Sequence, residues 1–208
     1  MNICGVDFGN SNCVIGISNS NGVDTIKSDN TSSPVIPTII TYLNERRYFG
    51  EFSFKNQIKY TQNTITDLIK LINLKYDSPE REKLSTSIFF NLVKLEDGTV
   101  GIKILYREKD VILRPEQCIA YLFKEFKDII SDYEINHFVI AINPQITESQ
   151  RRSIISSCKL AKVNCSSLIN TSTANSISYM MQNRSKLPTK KVSPSPSLTS
   201  VVQLRLFQ

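Results

Sequence analysis

Apolar residues fall into short alternating runs at the start of the chain and into longer runs of helical spacing further on. Residues 2–8 and 13–18 read as strands joined by a polar turn, Gly9-Asn10-Ser11-Asn12, and a third strand starts at Val23 after Asn21-Gly22. Asn-Gly favours a tight hairpin because both residues tolerate the positive φ it demands. "PTIITY" (37–42) supplies a further strand that opens on a proline, where a missing N–H costs least. In "NTITDLIKLIN" (63–73), Ile65, Leu68, Ile69 and Ile72 recur on one helical face and predict a helix. "IFFNLVKL" and "VGIKILY" flank Glu96-Asp97-Gly98-Thr99, where Asp-Gly signals a second hairpin.

From Pro115 the periodicity sharpens. Ile119, Leu122, Phe123, Phe126, Ile129, Ile130 and Tyr133 line one face of a predicted helix, with Pro115 suited to its first turn and Glu116 to the positive end of its dipole. A buried strand, "HFVIAIN", follows and is broken by Pro144. Thr147-Glu148-Ser149-Gln150 has the form of a capping box, predicting a helix with Ile154, Ile155, Cys158 and Ala161 turned inward. A strand near 163–169 and a helix near 171–183 complete an α/β pattern. Beyond it, "PTKKVSPSPSLTSVVQLRLFQ" carries two Ser-Pro steps that disfavour helix, so 188–208 is expected to be a tail or linker.

Composition narrows the classes. The chain has 208 residues, enough for one substantial core, with 40% apolar and 21% charged residues. It opens without the basic and long apolar regions of a secretory signal, and no apolar run approaches a membrane span, so a soluble, cytoplasmic protein without a membrane partner is expected. Five cysteines at irregular spacing and one histidine argue against a disulfide framework or a zinc site. His137 reads as a strand-edge residue. The net charge of +6 is spread among 19 acids and isolated basic doublets (Arg46-Arg47, Arg151-Arg152, Lys190-Lys191), a pattern that favours a solvated surface over nucleic-acid binding.

The candidate chemistry lies in "GVDFGNSNCVIGIS" (5–18). A strand–turn–strand of small residues exposes backbone N–H groups that can cradle phosphate oxygens without a side-chain charge. Gly9 permits positive φ or the close approach of a ligand. Asp7 directs a carboxylate toward the same place, suited to a hydrated Mg²⁺ that neutralises phosphates. The competing reading is an ordinary hairpin in which Asp7 caps a turn. The segment matches neither the P-loop pattern nor the dinucleotide-binding glycine fingerprint.

Residues 1–187 resemble the first lobe of the ATPase domain of the 70-kilodalton heat-shock chaperones, and are most similar to their 110-kilodalton relatives, which act as nucleotide exchange factors. The resemblance is carried by "GVDFGNSNCVIGI", "NTITDLIKLIN", "LEDGTVGIKILYREKDVILRPEQ" and "FVIAINPQITESQRRSIISSCKLAKVNCSSLINTSTANSISY", in matching order and spacing. It implies an α/β, actin-like lobe with a ribonuclease-H-like core subdomain (1–38 plus 112–187) and an inserted α+β subdomain (39–111). It also implies an ATP or ADP site with Mg²⁺, formed by Asp7, Gly9, Asn10, Ser11 and Asn12, with Asp7 reaching the metal through water. A full-length heat-shock chaperone is the implied partner, and unfolded clients only for a longer form.

The same resemblance marks departures. Asn10 and Ser11 stand where the family has two threonines, and Asn12 where it has an aromatic residue. The family's catalytic lysine falls on Ile69; Lys70 is adjacent but points about 100° away on an ideal helix. Thr171 replaces a glutamate that would orient water or metal, and Ser172 replaces a proline, while Pro144 and Arg151 are retained. No residue is therefore assigned as catalytic, and weak or absent hydrolysis is expected. A second lobe, with its own phosphate loop, does not follow in this sequence. The alternatives are a truncated or mis-framed piece of a full-length ATP-binding chaperone or exchange factor, a working ATPase that would require a second lobe, and, well behind, a basic nucleic-acid-binding protein.

Overall fold

The computed structural model describes residues 3–19, 22–27, 33–135 and 137–183; the expected tail at 188–208 lies outside them. In chain order the strands are β1 (Ile3–Phe8), β2 (Asn12–Asn19), β3 (Gly22–Ile26), β4 (Val35–Pro37), β5 (Ile40–Leu43), β6 (Arg46–Phe49), β7 (Thr64–Ile65), β8 (Asn91–Lys94), β9 (Val100–Tyr106), β10 (Lys109–Leu113), β11 (His137–Ile142) and β12 (Cys165–Asn170). The helices are α1 (Gly50–Asn56), α2 (Leu68–Leu71), α3 (Pro79–Ser85), α4 (Pro115–Ile129), α5 (Glu148–Leu160) and α6 (Thr171–Gln182).

One mixed sheet organises the site. Its order is β12-β11-β1-β2-β3, with β4 also paired to β2. β1, β11 and β12 run parallel, while β2 returns antiparallel to β1. Two smaller antiparallel sheets, β10-β9-β8 and β6-β5-β7, are drawn from strands between Ile40 and Leu113. Alternation decides which sheet face is buried: Cys4, Val6 and Phe8 of β1, Cys13, Ile15 and Ile17 of β2, and Phe138, Ile140 and Ile142 of β11 all lie in the core. α4 covers that face, its Phe123 ring 5.0 Å from Phe8 and 6.2 Å from Phe126, centroid to centroid.

The α4 helix starts as expected. Pro115 occupies the first turn, and the Gln117 side chain accepts from the Arg114 N–H at 2.8 Å. It stops at Ile129, four residues short of the periodic stripe, because Ser131–Tyr133 tightens into a 3-10 turn, and Tyr133 is 46% exposed. The capping box of α5 is formed, with Gln150 N–H donating to Thr147 Oγ1 (3.3 Å) and Thr147 N–H to Gln150 Oε1 (3.0 Å). Ile154, Cys158 and Ala161 turn inward, but Ile155, one helical step round from Ile154, remains exposed.

Two strand-and-helix expectations are corrected. "PTIITY" is not one strand: it breaks at Thr38-Ile39, so Pro37 ends β4 in the central sheet and Ile40 begins β5 in another. "NTITDLIKLIN" is not a long helix. Its β-branched start pairs as β7, where the Thr64 and Thr41 hydroxyls lie 2.9 Å apart, and Asp67 adopts a left-handed conformation that leaves α2 a single turn. The expected second hairpin is present: Gly98 sits at φ +75° and its N–H donates to the Leu95 carbonyl at 2.9 Å.

Candidate functional site

Parallel sheets place ligands at the carboxyl ends of their strands, outside the sheet. Here Asp7 pairs in register with Ala141, and Ala141 with Ile169, so the β1–β2 turn, Asn143-Pro144 and Asn170-Thr171 leave the sheet at one common edge. Residues far apart in sequence are thereby gathered by topology alone.

The β1–β2 turn is built by backbone hydrogen bonds. Gly9 N–H donates to the Asn12 carbonyl at 3.1 Å, and a Cβ at Gly9 would lie 2.4 Å from that same oxygen. Glycine is thus required for close approach of the chain to itself, not for positive φ. Of the loop donors, the Gly9 N–H is consumed inside the turn. Those of Asn10 and Ser11 meet no acceptor among the described residues.

Thr38 fixes this loop from the side, and the sequence pattern did not single it out. At the break between β4 and β5 its N–H donates to the Ser11 carbonyl (2.8 Å) and its hydroxyl to the Gly9 carbonyl (2.9 Å). Cys13 Sγ lies 3.0 Å from the same hydroxyl oxygen. The signal available in sequence was a small polar residue after Pro37, inside an otherwise apolar strand.

Asn10 carries the loop to α2. Its Nδ2 donates to Asp67 Oδ1 at 2.8 Å, and Lys70 Nζ reaches that same oxygen at 2.5 Å. Burial alone would raise the Asp67 carboxyl, but hydrogen bonds from Lys70 and Asn10 outweigh it and hold the group below its ordinary value. Because Asp67 accepts, Asn10 must present its amide nitrogen there, which leaves Asn10 Oδ1 buried with no partner among the described residues. Lys70 therefore does not point simply away, as an ideal helix would have it. It is spent on Asp67, two hydrogen bonds removed from the loop.

Asp7 projects from the face of β1 opposite Phe8 and keeps solvent contact. Partial loss of hydration there raises its carboxyl above the ordinary value. Ser11 and Asn12 are exposed. At the remaining positions the structure supplies no charge toward the loop. Ile69 is 8% exposed and offers only its carbonyl, to Gln150 Nε2 at 3.4 Å. Thr171 is the first residue of α6, and Asn170 before it accepts from Arg151 Nη2 at 2.6 Å. A hollow of about 560 Å³ opens beyond Lys70, walled by Ile72, Asn73, Thr147 and Gln150; no loop residue lines it, so it is separate from this site.

Of the basic doublets, Lys190-Lys191 lies outside the described residues, and one arginine of each of the other two is engaged locally. Arg47 stacks over the Tyr121 ring at 4.5 Å, and Arg152 pairs with Glu148 at 3.7 Å. His137 opens β11, its Nδ1 2.8 Å from Ser166 Oγ, as a strand-edge residue would. Among the described residues no three His, Cys, Asp or Glu side chains converge for direct metal binding, and no helix is long and apolar enough to cross a membrane.

Comparison with known proteins decides the family. The family model described as "Hsp70 protein" matches residues 3–192. The chain belongs to the Hsp70 family. Its mixed sheet and six described helices are those of an Hsp70-type, actin-like ATPase domain. The chain is 27% identical over 180 residues to heat shock protein 88 of Dictyostelium discoideum, covering 85% of this chain and 23% of that protein. It is 28% identical over 178 residues to a heat shock protein homolog of Saccharomyces cerevisiae, covering 84% of this chain and 26% of that one. Heat shock protein 110 of Caenorhabditis elegans is 26% identical over 184 residues, 86% of this chain and 24% of its own length. The chain thus spans about a quarter of the length of these relatives.

Proposed function

We propose that this Hsp70-family chain is a noncatalytic nucleotide-binding segment. It holds ATP or ADP with Mg²⁺ weakly at Asp7 and Gly9–Asn12 and acts, like an exchange factor or co-chaperone, by engaging a full-length heat-shock chaperone. One observation carries the reading: the loop keeps its glycine-tight cradle and two unspent N–H donors beside Asp7, while Ile69 and Thr171 put no charge where phosphoryl transfer would need it.

The residues present fit a hydrated Mg²⁺–phosphate group. The Asn10 and Ser11 N–H groups suit phosphate oxygens, and Asp7 and the orphan Asn10 Oδ1 suit the waters around the metal. Mg²⁺ would supply charge neutralisation; the chain itself would hold and orient the phosphates. Lys70 adds little, because Asp67 already neutralises it. The division into a core subdomain (1–38 plus 112–187) and an insert (39–111) belongs to this reading, supported by strands of the central sheet falling on either side of the two smaller sheets. So does the cytoplasmic location expected from the sequence.

Titration calorimetry with Mg²⁺-ATP and Mg²⁺-ADP tests the site: weak, Mg²⁺-dependent binding that Asp7→Ala abolishes is expected, with no turnover. Hydrolysis above buffer background that disappears in Asp7→Ala would overturn the noncatalytic assignment. Pulldown with a purified heat-shock chaperone ATPase domain tests the partner, and failure to retain it would count against that half alone.

A further inference from the structure

β12 closes one end of the central sheet and is paired on one side only, to β11; among the described residues no strand meets its other side. Its outer backbone groups can therefore accept another strand. Sheet edges are commonly blunted by charged side chains or proline, and the opposite end of this sheet follows that rule: β3 carries exposed Asp24, with exposed Lys27 directly after it. β12 has neither device. It reads Cys-Ser-Ser-Leu-Ile-Asn and lies in the longest stretch of the sequence without Asp, Glu, Lys or Arg, from Val163 to Asn183. The irregularity in its pairing falls at its start, beside Phe138, and leaves Ser167–Asn170 in regular register. α6 shares the uncharged stretch. None of its residues is buried, and from Ile177 to Gln182 every one is exposed, including Ile177, Tyr179, Met180 and Met181.

We propose that this edge joins two copies of the chain, β12 pairing antiparallel with β12 of the second copy across a two-fold axis, so that one sheet runs through both. Charge selects the occupant. Each copy carries a net +6, so two copies repel over most of their surfaces. Val163–Asn183 is where they can meet without setting like charges against each other, and a partner recognised by its charge gains nothing there. Self-pairing also satisfies the edge. Opposed residues of an antiparallel pair exchange N–H and C=O groups, and a two-fold axis brings the donors of each copy to the acceptors of the other.

The helices fit the same arrangement. A two-fold axis relating antiparallel edge strands stands perpendicular to the sheet, so α6 and its copy lie on the same face. α6 packs over β12 and β11. Midway between those strands, each helix lies half a strand spacing inside the seam. Two strand spacings then separate α6 from its copy, about 10 Å, and packed helices lie about 8–10 Å apart. Ile177, Met180 and Met181 recur at helical spacing on one side of α6 and give that contact an apolar surface.

Sedimentation of the full chain over a range of concentrations tests this. A species of twice the chain mass is expected at high concentration, dissociating on dilution and gaining strength with added salt, which screens the repulsion between two positive copies. Ser167→Lys and Met181→Lys, both at exposed positions, should stay monomeric where wild type is dimeric, with the melting temperature of the diluted wild type. Val23→Lys, which adds the same charge at the opposite edge, should dimerise as wild type does. Hydrogen exchange gives a second reading without any variant: peptides spanning 163–170 should be protected at high concentration and lose that protection on dilution. A wild-type chain that is monomeric throughout would overturn the proposal, as would a dimer that survives Ser167→Lys or one that Val23→Lys dissociates equally. A chain that dimerises only after removal of residues 184–208 would assign the edge to that segment instead.

Discussion

The two faces of the central sheet are built from the same strands by opposite rules. On one, Cys4, Val6 and Phe8 alternate into a core closed by α4, and aromatic rings fill the space between. On the other, the alternate residues are Gly5 and Asp7: one has no side chain to pack, and the other carries a carboxylate whose charge its surroundings disfavour. Period-two alternation makes this division unavoidable, since a single strand must serve both faces. The closed face fixes where the β1–β2 turn sits, while the open face leaves that turn accessible. Stability and ligand chemistry are thus separable here by substitution.

Phe123→Ala should break the closed face hardest. Deleting a buried ring that touches both Phe8 and Phe126 is expected to cost about 3–5 kcal/mol, read as a lower denaturant midpoint. Gly9→Ala comes next and strikes at the turn. Its Cβ would meet the Asn12 oxygen at 2.4 Å, and relief requires opening the hydrogen bond that closes the loop. A cost of about 1–3 kcal/mol is expected from overpacking, together with loss of nucleotide binding in calorimetry. A Gly9→Ala chain that binds Mg²⁺-ADP as well as wild type would show that the tight turn is not the cradle. Gln150→Ala tests the joint between α5 and α2. It removes the return arm of the capping box and the bonds to the Ile69 and Ile72 carbonyls, for about 1–2 kcal/mol in thermal melts, with nucleotide affinity unchanged.

Sequence pattern revealed the closed face more completely than the open edge. Apolar periodicity marks α4 and β11 because burial there is a property of each element alone, and the Thr147–Gln150 box announces α5 through contacts within four residues. The segment 63–73 misled because Ile65, Leu68, Ile69 and Ile72 are all buried, as a helix would bury them, yet Ile65 is buried by pairing with Ile40 across a sheet. Periodicity reports burial and cannot name the partner. Asp7 and Gly9 stood out in the turn itself. Thr38 and Asp67 did not, because each acts on the loop across a distance in sequence (29 residues from Gly9, 57 from Asn10) that no local pattern encodes.

The smallest effect on stability is expected at Asp7, and its sign sets the two faces apart. Its pKa is raised in the fold, so the folded chain binds a proton there more tightly than the unfolded chain does. The ionised carboxylate therefore subtracts from stability at neutral pH, and that loss is relieved as pH falls through the carboxylate range. Asp7→Asn should melt at the same temperature as wild type or slightly higher at neutral pH, and the difference should close on acidification. Saturating Mg²⁺-nucleotide should act in the opposite direction, raising the wild-type melting temperature by favouring the ionised carboxylate and leaving Asp7→Asn nearly unmoved. Equal ligand-induced shifts in both proteins would place the Mg²⁺ away from Asp7. A residue kept for packing should lose stability when replaced; one kept for a ligand should lose only the response to that ligand.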